Sequence, residues 1–178
     1  MTESDAIEAT RLWLERAVIG LNLCPFAKAV HVRGQIRWVL SDATTPEALL
    51  ETLGEELLWL RDASPEEVDT TLLIHPTLFD DFLDFNDFLE IAEGVVDEHG
   101  LEGVIQLASF HPQFQFDGTE PDDIGNYTNR APFAILHLLR EESVERAVEA
   151  FPEAEAIFEQ NIETLEKLGH KGWKALGL

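Results

Sequence analysis

Hydrophobic and polar positions change period several times along this 178-residue chain, and each change predicts an element. Residues 5–19 place Ile7, Leu12, Leu14, Ala17 and Val18 at helical spacing, with Gly20 as the stop. The segment LNLCPFAKAVHVRG that follows keeps neither period and reads as irregular. In QIRWVLSD (35–42), Ile36, Trp38 and Leu40 alternate with their neighbours, the period of a strand. Thr45-Pro46-Glu47 supplies an N-cap and a proline at the first helical position, opening a helix to about Leu60. Ser64-Pro65-Glu66-Glu67 has the form of a capping box, but VDTTLLIHP (68–76) follows too soon for more than one turn and reads as a second strand. Thr77 or Asp80 then starts a helix over 80–99, closed by Gly100. GVIQLASFHP (103–112) is a third strand, 113–132 a long loop and AILHLLR (134–140) a fourth strand. Ser143 caps a short helix to Ala150, and Pro152 opens the last helix, which ends near Gly169.

This order predicts an α+β or α/β fold, a four-stranded mixed sheet covered by helices, in a single globular domain over 1–178. The helix over 80–99 is expected to join strands 68–76 and 103–112 as parallel neighbours, with the fourth strand antiparallel beside the third. The length suffices to bury a core, and 45% hydrophobic residues argue against disorder.

Charge narrows the partners. Lys and Arg number 12 against 35 Asp and Glu, a net charge of −23. Nucleic acid and anionic membrane are therefore not expected as partners, because phosphate binding needs cations to replace counterions. Only Lys28, Lys167, Lys171 and Lys174 supply ammonium groups. No apolar run approaches the ~20 residues of a membrane span. The acidic, amphipathic start does not resemble a signal peptide. The single cysteine, Cys24, excludes an internal disulfide and fits a reducing cytoplasm.

Against this background GNYTNRAPF (125–133) stands out, with Asn126, Tyr127, Thr128, Asn129 and Arg130 in succession and no acid among them. Two strands also end alike, in Ile74-His75-Pro76 and Phe110-His111-Pro112. Proline cannot donate to a ladder and marks each end. If the crossover is parallel, His75 and His111 occupy one sheet edge, the usual ligand edge of open sheets. The NYTNR loop leaves from the same edge. The expectation is a pocket floored by His75 and His111 as acid–base groups. Arg130 would grip an anionic group, with Asn126, Tyr127 and Asn129 orienting it. The structural alternatives are strand-end hydrogen bonds for the histidines, turn shaping for the amides, and an ion pair of Arg130 with Asp122 or Asp123. Cys24 is either a nucleophile served by His31, His75 or His111, or a buried small hydrophobe in a pocket wall. His137, among leucines, reads as a satisfied core histidine, and His99 suits a helix end. Asp84, Asn86 and Asp87 lack the glycine and closing glutamate of a calcium loop. A metal site built on His75, His111 and a carboxylate stays open; the glycine-rich phosphate motifs and the GxSxG elbow are absent, and no cofactor is assigned.

GLNLCPFAKAVHVRGQIR (20–37), TTLLIHP (70–76), FLDFNDFL (82–89), ASFHPQFQFDGTEPDDIGNYTNRAPF (108–133) and LHLLRE (136–141) make the chain resemble the bacterial family called domain of unknown function 1415 (DUF1415). The resemblance implies a compact cytosolic protein of this length. It brings no activity, cofactor or residue role. Three functional readings therefore stand: a small-molecule enzyme, a non-catalytic metal- or ligand-binding module, and an acidic interaction domain.

Overall fold

The computed structural model describes residues 2–151 and 153–178. Helix α1 (Glu3–Trp13) starts with a capping box in which Thr2 accepts from the Asp5 amide and the Asp5 carboxylate accepts from the Thr2 amide. It continues without a break as a π-helical stretch, Leu14–Ile19. The segment expected to be irregular contains a short helix, α2 (Ala27–Val32). Next come β1 (Ile36–Leu40), α3 (Pro46–Asp62), β2 (Thr70–Ile74) and α4 (Phe82–Glu98). Thr45 caps α3 as its sequence predicts, whereas α4 is capped by Asp81, which accepts from the amides of Leu83 and Asp84.

The chain goes on to β3 (Ile105–Phe110), a 3-10 turn (Ile124–Asn129), β4 (Ile135–Arg140) and α5 (Glu141–Ala150). Ser143 does not cap α5. It lies in the first turn and donates to Asp69 instead. A 3-10 turn at Ala154–Ala156 precedes α6 (Ile157–Lys174). The predicted helix start at Pro152 lies outside the described residues. Gly169 breaks α6 at φ 70°, ψ 172°, a conformation that only glycine adopts freely, and the restarted turn carries Trp173 back onto the body of the fold.

The sheet is four-stranded and mixed, in the order β1-β2-β4-β3. β1 pairs with β2 in parallel, and β4 runs antiparallel to both β2 and β3. The expectation that strands 2 and 3 are neighbours is therefore corrected: β4 lies between them. Burial explains the order. β4 buries Ile135, Leu136 and Leu138 completely and offers apolar residues to both faces, as an interior strand must. β3 carries a polar residue on each face, Gln106 and Ser109, and is only partly covered after Ile105, which suits an edge.

Two cores sandwich the sheet. On one face, Leu49, Leu53, Leu57 and Leu60 of α3, a stripe at helical spacing, meet Phe85, Phe88, Ala92 and Val96 of α4 over Leu73, Leu136 and Leu138. On the other, Trp13, Leu14, Ala17 and Val18 cover Leu72, Ile74 and Ile135. That second cover is incomplete. Towards the start of β2 and the end of β4 the face is closed only by α2 and α5, and α5 contributes no buried residue. Among the described residues no helix is long and apolar enough to cross a membrane.

Candidate functional site

His75 and His111 do reach one end of the sheet, by a different route from the one predicted. Ile74 and Phe110 both register on Ile135, so the two histidines flank Ala134 from either side. Two strand spacings put their backbones ~10 Å apart. The gap is filled by Phe85, whose ring lies 5.4 Å from each imidazole. Both histidines are buried. The Gln113 amide donates to His111 Nδ1 at 2.9 Å, so Nε2 carries the proton and donates to the Phe79 carbonyl at 2.6 Å. Burial lowers the His111 pKa; the Phe79 carbonyl and nearby Asp81 oppose this, and Arg130 adds to it. His75 has no partner in hydrogen-bond geometry for either nitrogen. Burial pushes its pKa down to about 4, weakly opposed by the Leu73 carbonyl and reinforced by His111.

The polar cluster after β3 mostly organises its own loop. Buried Asn126 accepts from the Phe116 amide and the Thr119 hydroxyl and donates to the Glu120 carbonyl, pinning the segment before it. Asn129 donates to the Ser109 carbonyl and ties the turn to β3. Arg130 forms no ion pair with Asp122 or Asp123 among the described residues. Its guanidinium lies 4.4 Å from the Tyr127 ring, Nε donates to the Phe114 carbonyl at 3.0 Å, and Nη2 donates to the Pro121 carbonyl. Tyr127 and Arg130 border a cavity of about 220 Å³ together with Trp13, Pro112 and Trp173. Neither His75 nor His111 lines it.

A larger cavity, about 320 Å³, occupies the thinly covered end of the second sheet face. Its floor follows from the register. Ile36, Thr70 and Leu139 align across β1, β2 and β4, and Leu72 and His137 align one pleat further on. Trp13, Leu14 and Val18 form one wall. The π-helical stretch begins at this wall, and such stretches recur at functional sites. Cys24, Phe26, Ala27 and Val30 form a second wall, and Val144, Ala147 and Val148 of α5 close the third. Among the described residues Asp69 is the only charged one in the lining, which holds neither Lys nor Arg.

The few polar groups in this cavity have determinable roles. Thr70 Oγ1 has one proton and gives it to the Leu138 carbonyl at 2.6 Å. Towards His137 Nε2, 2.7 Å away, it can therefore only accept. His137 is thus protonated on Nε2, and Nδ1 is left as a lone-pair acceptor. Nδ1 has no hydrogen-bond partner among the described residues, and His137 lines the cavity. Burial pushes the His137 pKa down to about 4, so the ring is neutral at ordinary pH. The expectation of a satisfied core histidine holds for one nitrogen only. Cys24, a half-buried free thiol, lines the same cavity, and no hydrogen bond joins it to His137. No sequence pattern singles out His137; its alignment beside Leu72 and diagonal to Thr70 arises only on pairing. Among the described residues no group of three or more His, Cys, Asp or Glu is placed to hold a metal ion.

A family model described as "Protein of unknown function (DUF1415)" matches residues 5–175, and the chain belongs to that family. No curated protein and no solved structure matches it.

Proposed function

We propose that this DUF1415 protein binds a small, largely apolar organic molecule in the cavity between the sheet and α5. The observation that carries the reading is the cavity itself. About 320 Å³ of space is walled by apolar side chains, and one wall is a helix with no buried residue of its own. An apolar face left open inside a fold costs stability unless something fills it. An engineered apolar cavity of ~150 Å³ holds benzene, so this one has room for roughly two fused rings.

The enzyme reading expected from the sequence finds its support here rather than at His75 and His111, which lie closed around Phe85. Cys24 and neutral His137 line one apolar cavity, and a thiol with an imidazole is a pairing that nucleophilic catalysis uses. A second reading concerns the 220 Å³ cavity. Arg130 and Tyr127 border it, so part of the predicted polar cluster faces a cavity there, and the expected anionic group would belong there.

The test is a calorimetric titration with benzofuran, a neutral fused-ring probe, of the unaltered protein and of Ala147→Trp. Binding by the first and its loss in the second support the proposal. Absence of binding to either, or equal binding to both, contradicts it.

A further inference from the structure

We infer that the cavity under α5 selects neutral ligands that carry a hydrogen-bond donor, such as a phenolic or indole-type X–H, placed against Nδ1 of His137. This deepens the proposed function and rests on it. Thr70 has spent its hydroxyl proton on the Leu138 carbonyl and accepts from His137. Ser143 has spent its proton on Asp69, and accepts from Arg146 at 3.4 Å. Asp69 offers only acceptor oxygens when ionised. His137 presents Nδ1 as a bare lone pair. Among the described lining residues two donors are left: the Cys24 thiol, a weak one, and the Trp13 indole N–H, whose residue also borders the smaller cavity. The polar groups around His137, on the strands and at the start of α5, are thus acceptors.

Such a site discriminates by what it leaves unpaired. A ligand without a donor strips water from Nδ1 and returns nothing, and an unmade bond to a desolvated acceptor is costly. A ligand carboxylate meets further lone pairs and Asp69, with no Lys or Arg among the described lining residues, in a protein of net charge −23. A neutral ring with one O–H or N–H satisfies Nδ1 while its remaining surface meets Leu72, Leu139 and Val144.

Indole and benzofuran test this. They have nearly the same shape, and indole has a ring N–H where benzofuran has an ether oxygen. Indole is expected to bind about tenfold more tightly to the unaltered protein, the ratio for one hydrogen bond of ordinary strength. In His137→Phe the two should bind alike. Nitrogen NMR of the unaltered protein gives a check that needs no variant: His137 should show the Nε2-protonated tautomer, and Nδ1 should shift when indole is added. Equal affinities in the unaltered protein, or an Nδ1-protonated ring, overturn the inference and leave the apolar binding site standing. Failure of both probes to bind removes the proposed function along with it.

Discussion

His75 gives the sharpest test of how the cores are built. Its ring lies wholly inside the first core, against Phe79 and Phe85, with both nitrogens unpartnered. Burial holds its pKa at about 4, against 6.5 for the ordinary group. Between those values the unfolded chain binds the proton and the folded chain does not, so protons favour unfolding. Stability from this group is fully present above pH 6.5 and is lost as pH falls towards 4. A shift of this size corresponds to about 3 kcal/mol at complete protonation, of which about 2 kcal/mol develops by pH 5. The perturbation is His75→Phe, which keeps a ring among the phenylalanines and removes the titration. Urea unfolding at pH 7.5 and pH 5 stays above the sequence pI of 4.3, where solubility falls. The other ionisable groups are common to both proteins, so their contributions largely cancel in the comparison. With a urea slope near 2 kcal/mol/M, the midpoint of the variant should gain about 1 M on the unaltered protein between the two pH values. A gap that stays constant with pH would refute the reasoning, and would mean that His75 is solvated or has a partner.

Three further outcomes follow from named contacts. Arg130→Ala should lower stability by about 1–3 kcal/mol, because the Phe114 and Pro121 carbonyls and the Tyr127 ring lose one shared partner; Arg130→Lys should recover little, since an ammonium cannot reproduce the planar fork. Chemical denaturation measures both, and an unchanged midpoint in Arg130→Ala would contradict the loop-clamp role. Gly169→Ala should cost about 1–3 kcal/mol and expose Trp173 to quenchers, because the break in α6 uses a backbone region nearly closed to other residues. No affinity for a random DNA duplex is expected at 150 mM salt, given the net charge of −23 and four lysines; salt-sensitive micromolar binding in an anisotropy titration would contradict this.

Local structure was largely legible in the sequence because local signals determine it. Thr45-Pro46 opens α3, and the stripe from Leu49 to Leu60 faces a core as its spacing predicts. The π-helical stretch was not legible, since the apolar pattern over 14–19 also suits an α-helix and only the backbone bonds distinguish the two. Strand order was misread because adjacency was inferred from connection. Competition for the interior position decided it, and β4, apolar on both faces, displaced β3. That one exchange separates His75 from His111 by a strand and puts Phe85 between them.

The matching His-Pro ends therefore did locate a common edge, but not a shared opening. The cavity was harder still to foresee. Its walls come from α1 and its π-helical extension, α2 and the segment before it, all four strands and α5, and each apolar lining residue taken alone looks like ordinary core. Cys24 was identified as a nucleophile or pocket wall, and it lines this cavity with His137, a histidine outside the set considered for it. The amides of the NYTNR segment were legible as turn residues, and Asn126 and Asn129 are bonded in that way.

The central claim is that an apolar molecule occupies the space under α5. Methyl NMR of the protein titrated with benzofuran tests it most directly. The account predicts saturable shifts at Leu72, Leu139, Val144 and Val148, which line the cavity, with the methyl groups of Leu53 and Leu57 beneath the opposite face unmoved. Shifts absent from the four cavity residues, or spread evenly over both cores, would contradict it.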